Sequence, residues 1–201
     1  LGGIPLFASL SFAAMSYFGH SAAYTLLSPL HQGPGGIERT ENMKLLLSLK
    51  VALWAALLTT WTDFVVDPVA HLGEYWFLGK IYFWITTSAA WHFDVPIWNY
   101  GGWLLTILAI VHANQVIDRS LINRGIPHKP AFNLPHKCLW SIGYFIGNYL
   151  FILAVNIYLY LNPAVPPEKQ IGLVLANTAV FVSAFIVFNI VFIRRKLKSP
   201  V

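Results

Sequence analysis

Apolar residues run through this chain in long blocks rather than alternating with polar ones. Five blocks are long enough to cross about 30 Å of hydrocarbon as helices. They cover about residues 3–27, 45–66, 100–117, 139–161 and 171–193. Asp67-Pro68 closes the second block, Asn162-Pro163 the fourth, and Arg194-Arg195-Lys196-Leu197-Lys198 follows the fifth. Pro68 disfavours helix at the residue before it, so the second helix is expected to end at Asp67. Gly and Pro clusters at Gln32-Gly33-Pro34-Gly35-Gly36, Ile126-Pro127, Pro130 and Pro166-Pro167 read as loops. The pattern predicts an all-α fold, a polytopic transmembrane helix bundle of about five spans, as a single integral membrane domain over residues 1–201.

One stretch breaks the pattern. Residues 69–98 hold nine aromatic residues, but Glu74, Lys80, His92 and Asp94 interrupt every apolar window. The expectation here is an interfacial or re-entrant segment, because Tyr and Trp favour the depth where an apolar ring and a polar tip are both satisfied. In the fourth span, Gly143 and Gly147 form a GxxxG pattern, expected to serve packing within the chain.

Composition agrees with a membrane setting. The chain is 57% hydrophobic and 10% charged, with a mean hydropathy of +0.61, where a soluble domain carries about 25% charge. The basic excess does not point to nucleic acid, because the bases cluster beside apolar runs as membrane anchors do. With the N-terminus outside, ten bases fall on inner segments: Arg39, Lys44, Arg119, Arg124, Lys129, Lys137, Arg194, Arg195, Lys196 and Lys198. Only Lys80 and Lys169 fall outside, while Lys50 lies within the second span and snorkels inward. A cytoplasmic membrane of a bacterium or archaeon, with the C-terminus cytoplasmic, is expected. The chain starts at Leu1, without a basic region before its first apolar block, so that block is not read as a signal peptide and upstream sequence is expected. Cys138 stands alone, which excludes an internal disulfide and leaves it as an inert loop-end residue.

Ionisable groups inside a bilayer are costly and mark function. Asp63 and Asp67 lie four residues apart, on one helix face near the end of the second span. Burial, mutual repulsion and the negative end of the helix dipole all favour protonation, so the pair can hold one shared proton as an acid and a carboxylate. Asn99, at the start of the third span, reaches the pair if the two helices are neighbours, and Gly101-Gly102 permits close approach of a backbone or ligand. His112, Asn114, Gln115 and Asp118 read as an interfacial polar cluster rather than a second site. His20 and His112 lack the spacing of a metal or haem site, and no nucleotide-binding loop occurs.

These same residues carry a resemblance. Thr60-Trp61-Thr62-Asp63-Phe64-Val65-Val66-Asp67-Pro68 resembles the A-W-D-x-x-x-D-P segment of the carotenoid hydratases of the CruF type, a carotenoid biosynthesis membrane protein family. The run from Phe93 through Pro96, Trp98, Asn99, Tyr100, Gly102 and Trp103 to Thr106 resembles their Y-F-G-V-P-x-x-N-F-x-G-W-L-x-T segment, with Asp94 in place of a glycine. The opening Leu1-Gly2-Gly3-Ile4-Pro5-Leu6 is similar to their G-V-P-L. Family members carry further helices before this point.

The resemblance implies hydration of the terminal 1,2 double bond of an acyclic carotenoid end such as that of lycopene. Asp63, Asp67 and Asn99 would be the catalytic residues, and Trp61, Phe93, Trp98, Tyr100 and Trp103 would bind substrate. One aspartic acid protonates C2, the other carboxylate activates water, and aromatic faces such as Trp61 or Trp98 stabilise the cation. No cofactor or metal is expected. The rival expectation is a non-catalytic carotenoid- or lipid-binding subunit of a larger membrane complex, such as a photosynthetic one, with partner subunits.

Overall fold

A computed structural model describes residues 6–70, 72, 75, 91–93, 95–126, 136–166 and 170–198. The fold is an all-α bundle. In order along the chain come α1 (Leu6–Leu27), a hairpin of β1 (Leu30–Gly33) and β2 (Gly36–Arg39), short α2 (Met43–Leu46) and α3 (Leu49–Ala70). A second small hairpin follows, β3 (Trp91–His92) with β4 (Val95–Pro96), then α4 (Ile97–Asn123), α5 (Trp140–Leu161) and α6 (Ile171–Lys198). Both strand pairs are antiparallel. Most of the expected interfacial segment, including Glu74, Lys80 and Asp94, lies outside the described residues.

Among the described residues, α3, α4, α5 and α6 are long and apolar enough to cross a membrane. Helices suit that environment because each satisfies its backbone polar groups within its own segment. Helix α1 is as long as α3, with 22 residues. Serines, Thr25 and His20 interrupt its apolar run.

Helix α3 is the axis of the bundle, packing against α1, α4, α5 and α6. Its seam with α1 is built from small residues: Ala22 and Ala23 meet a stripe of Ala52, Ala55 and Ala56, all fully buried. Small side chains let helix backbones approach closely where no water drives them together. Gly19 is required there, since a Cβ would stand 2.5 Å from Thr59 Oγ1 and 3.2 Å from the Ala55 carbonyl oxygen. The GxxxG pattern, by contrast, takes no part in packing among the described residues. Gly143 and Gly147 face outward, with nothing within 4 Å of the Cβ position. The same holds for Gly101 and Gly102 on α4.

The second apolar block is broken between α2 and α3, where the Leu46 and Leu47 carbonyls are left without helical donors. Gln115 fills the gap. Its Nε2 donates to the carbonyls of Leu46 and Ser48 at 3.0 Å each, and Arg119 donates to Leu47 at 3.2 Å. His20 Nε2 also lies 3.1 Å from the Leu46 carbonyl. Gln115 and His20, polar residues in apolar blocks, are therefore helix-end partners. At the same end of the bundle, the first hairpin is pinned to the chain before α5. The Ile37 amide donates to His136 Nδ1 at 2.9 Å, the His136 amide donates to the Gly35 carbonyl at 2.8 Å, and the Cys138 thiol donates to the Ile37 carbonyl. Gly36, at φ +92°, sits under the His136 ring where a side chain has no room.

Replacing Gln115 by Leu keeps the volume but removes the buried amide donor that the Leu46 and Ser48 carbonyls share. The expected cost is about 0.5–1.5 kcal/mol, read as a lower midpoint of thermal unfolding in detergent, with helix content at low temperature unchanged.

Candidate active site

The helix carrying the two aspartates does not stop at Asp67. It runs through Pro68 to Ala70, which corrects the expected boundary. Proline in a helix removes the amide that would bond the carbonyl four residues back, and here that carbonyl belongs to Phe64. Its missing partner comes from another helix: Asn177 on α6 donates Nδ2–H to the Phe64 oxygen at 3.1 Å. The helix thus continues because α6 replaces the lost hydrogen bond.

Asp63 and Asp67 are one turn apart and almost fully buried, at 2% and 1% exposure. Their carboxyl groups lie close enough together to share one donor. Helix α4 begins at Ile97, three residues earlier than its apolar block suggests, because Pro96 supplies the extended residue before it. Asn99 therefore sits in the first turn of α4, against the last turns of α3. Its Nδ2 donates to Asp63 Oδ2 at 3.1 Å and to Asp67 Oδ2 at 2.5 Å, so one amide bridges both carboxyls. The dipoles act in opposition: the C-terminal end of α3 disfavours negative charge on the pair, and the N-terminal end of α4 favours it.

The aromatic residues divide. Tyr100 is buried and stacks on Phe64, with ring centroids 4.0 Å apart and planes at 10°. Phe64 stacks in turn with Phe181, and Phe181 meets the edge of Trp61, whose indole N–H donates to the Phe181 carbonyl at 3.3 Å. Trp61, Phe181, Phe64 and Tyr100 form one row beside the carboxyl pair. Trp103 lies elsewhere, stacked on Phe12 at 4.3 Å, and Trp98 is 54% exposed. Phe93, in the left-handed region at φ 51°, turns the hairpin and packs edge-on against His92.

His92 was not among the expected site residues, and neither were Phe64, Asn177 and Phe181. The structure brings all four to the site. His92 Nδ1 lies 2.6 Å from the Tyr100 hydroxyl and Nε2 lies 3.2 Å from Asn177 Oδ1. The sequence held one signal of this arrangement. A proline inside an apolar helix creates a buried carbonyl that needs a donor, but nothing local says that a residue 113 positions away supplies it. Among the described residues, no group of three His, Cys, Asp or Glu side chains is arranged to hold a metal ion.

With this geometry in view, the comparison with known families decides the broader identity. A family model for carotenoid biosynthesis proteins matches residues 1–177. The chain belongs to that family. Its role is accordingly in carotenoid biosynthesis, and the match spans α1 through the first turns of α6, so every residue of the site described above except Phe181 falls within it. No curated protein and no solved structure matches the chain.

Burial pushes the His92 imidazole below its ordinary range, and the hydrogen bond to Asn177 opposes this in part. A base with a depressed folded pKa takes up protons more readily when the chain unfolds. Its effect is that stability is full above the unfolded value of about 6.5 and falls as pH drops below it. In chemical denaturation between pH 7.5 and 5, the wild type is therefore expected to lose more stability than a His92→Asn variant. Equal pH slopes would mean that His92 ionises as freely in the fold as in the unfolded chain.

Proposed function

We propose that this protein hydrates the terminal 1,2 double bond of an acyclic carotenoid end by acid-catalysed addition of water. The observation that carries the reading is the buried Asp63–Asp67 pair bridged by the single amide of Asn99. Two buried carboxylates that share one donor repel each other if both are ionised, so their closeness favours a proton on one of them. A pair sharing one proton offers an acid and a base in the same place, which is the requirement of alkene hydration.

The carboxylic acid of the pair gives its proton to C2 as the π bond breaks, leaving a tertiary cation at C1. A water oxygen bonds to C1, and the proton it sheds goes to the other carboxylate. One C–H and one C–O bond form, the pair ends with one proton as it began, and the reaction consumes only water. The cation forms beside a row of aromatic faces, in which Phe64 follows Asp63 and Tyr100 follows Asn99 in sequence. Such faces stabilise positive charge without attacking it. In this reading Trp98, exposed on α4, and Trp103, stacked on Phe12, would contact the polyene beyond the reacting end. A low-dielectric bundle strengthens these electrostatic terms. The same aromatic row also suits binding of a polyene without turnover, the second reading, which predicts pigment bound in stoichiometric amount and chemically unchanged.

Expression in a lycopene-producing bacterium, followed by mass analysis of the pigments, tests both. The hydratase reading expects pigment heavier by one water per reacted end. Asp63→Asn and Asp67→Asn should each lower the product about 100-fold or more, while Asn99→Leu should lower it less and also weaken the fold. Unchanged lycopene held tightly by a folded protein would establish the binding reading instead. Hydrated product that persists in both aspartate variants would remove the acid role assigned to the pair.

A further inference from the structure

We infer that His92 is a positioning residue of this site: fixed by Asn177 as its Nε2–H tautomer, it draws the Tyr100 hydroxyl proton onto Nδ1 and so leaves the Tyr100 oxygen an acceptor toward the carboxyl pair. The functional consequence rests on the hydratase reading above; the orientation itself does not.

Each hydrogen in the chain follows from the one before. Pro68 has no N–H, so the Phe64 carbonyl needs an outside donor. Asn177 Nδ2 is that donor, which settles which way the Asn177 amide points. Its Oδ1 must then accept, and the group it faces is His92 Nε2 at 3.2 Å, which must carry a hydrogen. A neutral imidazole has one N–H, so Nδ1 presents a lone pair. The Tyr100 hydroxyl, 2.6 Å from Nδ1, has to donate. Burial of His92 favours this neutral form. Stacking on Phe64 holds the Tyr100 ring, and with it the hydroxyl oxygen, in place beside Nδ1.

Tyr100 follows Asn99, whose amide bridges the pair, and its ring stacks on Phe64, the residue next to Asp63, so its hydroxyl belongs to the same site as both carboxyls. Its single hydrogen is committed to His92, so what it offers the pair is a lone pair. An acceptor beside a carboxyl group supports the protonated form and does nothing for the ionised one. His92 thereby acts at a distance on the acid, through Tyr100. From α4 the ring faces Tyr100, from α6 Asn177, and from α3 Phe64 with Asp63 and Asp67 beyond it. Protonating the ring reverses the arrangement. Nδ1–H then donates to the Tyr100 oxygen, the hydroxyl hydrogen turns away from His92, and the ionised pair gains a donor.

The test uses the full chain in lipid nanodiscs with its histidines labelled with 15N in the ring, and His92→Asn to assign the His92 signals. At neutral pH the expected spectrum shows His92 protonated at Nε2 and bare, hydrogen-bonded at Nδ1. A hydrogen on Nδ1 at that pH overturns the inference, whatever the enzyme does. The second arm is the pH profile of hydration. Asn177→Asp still accepts from Nε2 but holds the imidazolium, so the acid limb of the profile should move up by about 1–2 pH units. Adding Tyr100→Phe should abolish that shift. A limb that stays in place in folded Asn177→Asp, or one that moves equally without the Tyr100 hydroxyl, overturns the positioning role. A wild-type chain that makes no hydrated product refutes the hydratase reading instead, and the imidazole spectrum alone then decides the orientation.

Discussion

Two carboxyl groups buried inside an apolar helix bundle are the constraint from which the rest of the site follows. Asp63 and Asp67 project from α3, the helix that every other long helix touches, and neither is exposed by more than 2%. A carboxyl group in such a place must find a donor or a proton. The donor is Asn99, and its reach is short, so the last turns of α3 and the first turn of α4 have to lie side by side. The same constraint orients the two helices antiparallel, with a positive helix end beside carboxyl groups that a negative end would repel.

Pro68 adds a second demand one residue from the pair. By deleting a helical hydrogen bond it leaves a buried carbonyl, and Asn177 answers from α6. That one amide then has its other end free for His92, and His92 for Tyr100. Three helices and a two-residue hairpin are tied together by groups that are each committed in one direction. The proline works as the source of this order rather than as a helix stop. A helix breaker in an otherwise favourable apolar segment is tolerated where a neighbouring helix makes good the loss, and the replacement partner places a site residue at the same time.

The proposed hydration fits such a construction. In that reading a polyene partitions into the apolar layer, and its end meets an acid able to protonate an isolated alkene, with water admitted only at that point. The aromatic row from Trp61 to Tyr100 provides faces beside the carboxyl pair, and the opposite end of the bundle is given over to structure. There Gln115 and Arg119 close the break between α2 and α3, and His136 seats the first hairpin.

What the sequence determined by itself is what periodicity and solvent preference govern. Long apolar blocks in a bilayer have to become helices, so the all-α bundle was legible, and a pair of aspartates one turn apart in such a block was conspicuous because charge there is expensive. Asn99 could be matched to them, since both lie toward the same end of consecutive helices. The tertiary structure decided the remainder. It carried α3 past Pro68, because a hydrogen bond from α6 substitutes for one that no local pattern could promise. It turned Gly143 and Gly147 outward and put Trp103 against Phe12, because which face of an evenly apolar helix packs inward depends on its neighbours and not on its own residues. It brought His92 and Asn177 together across 85 residues of chain, a meeting invisible in the sequence because a single polar residue in an aromatic segment gives no indication of its partner until the helices have closed around it.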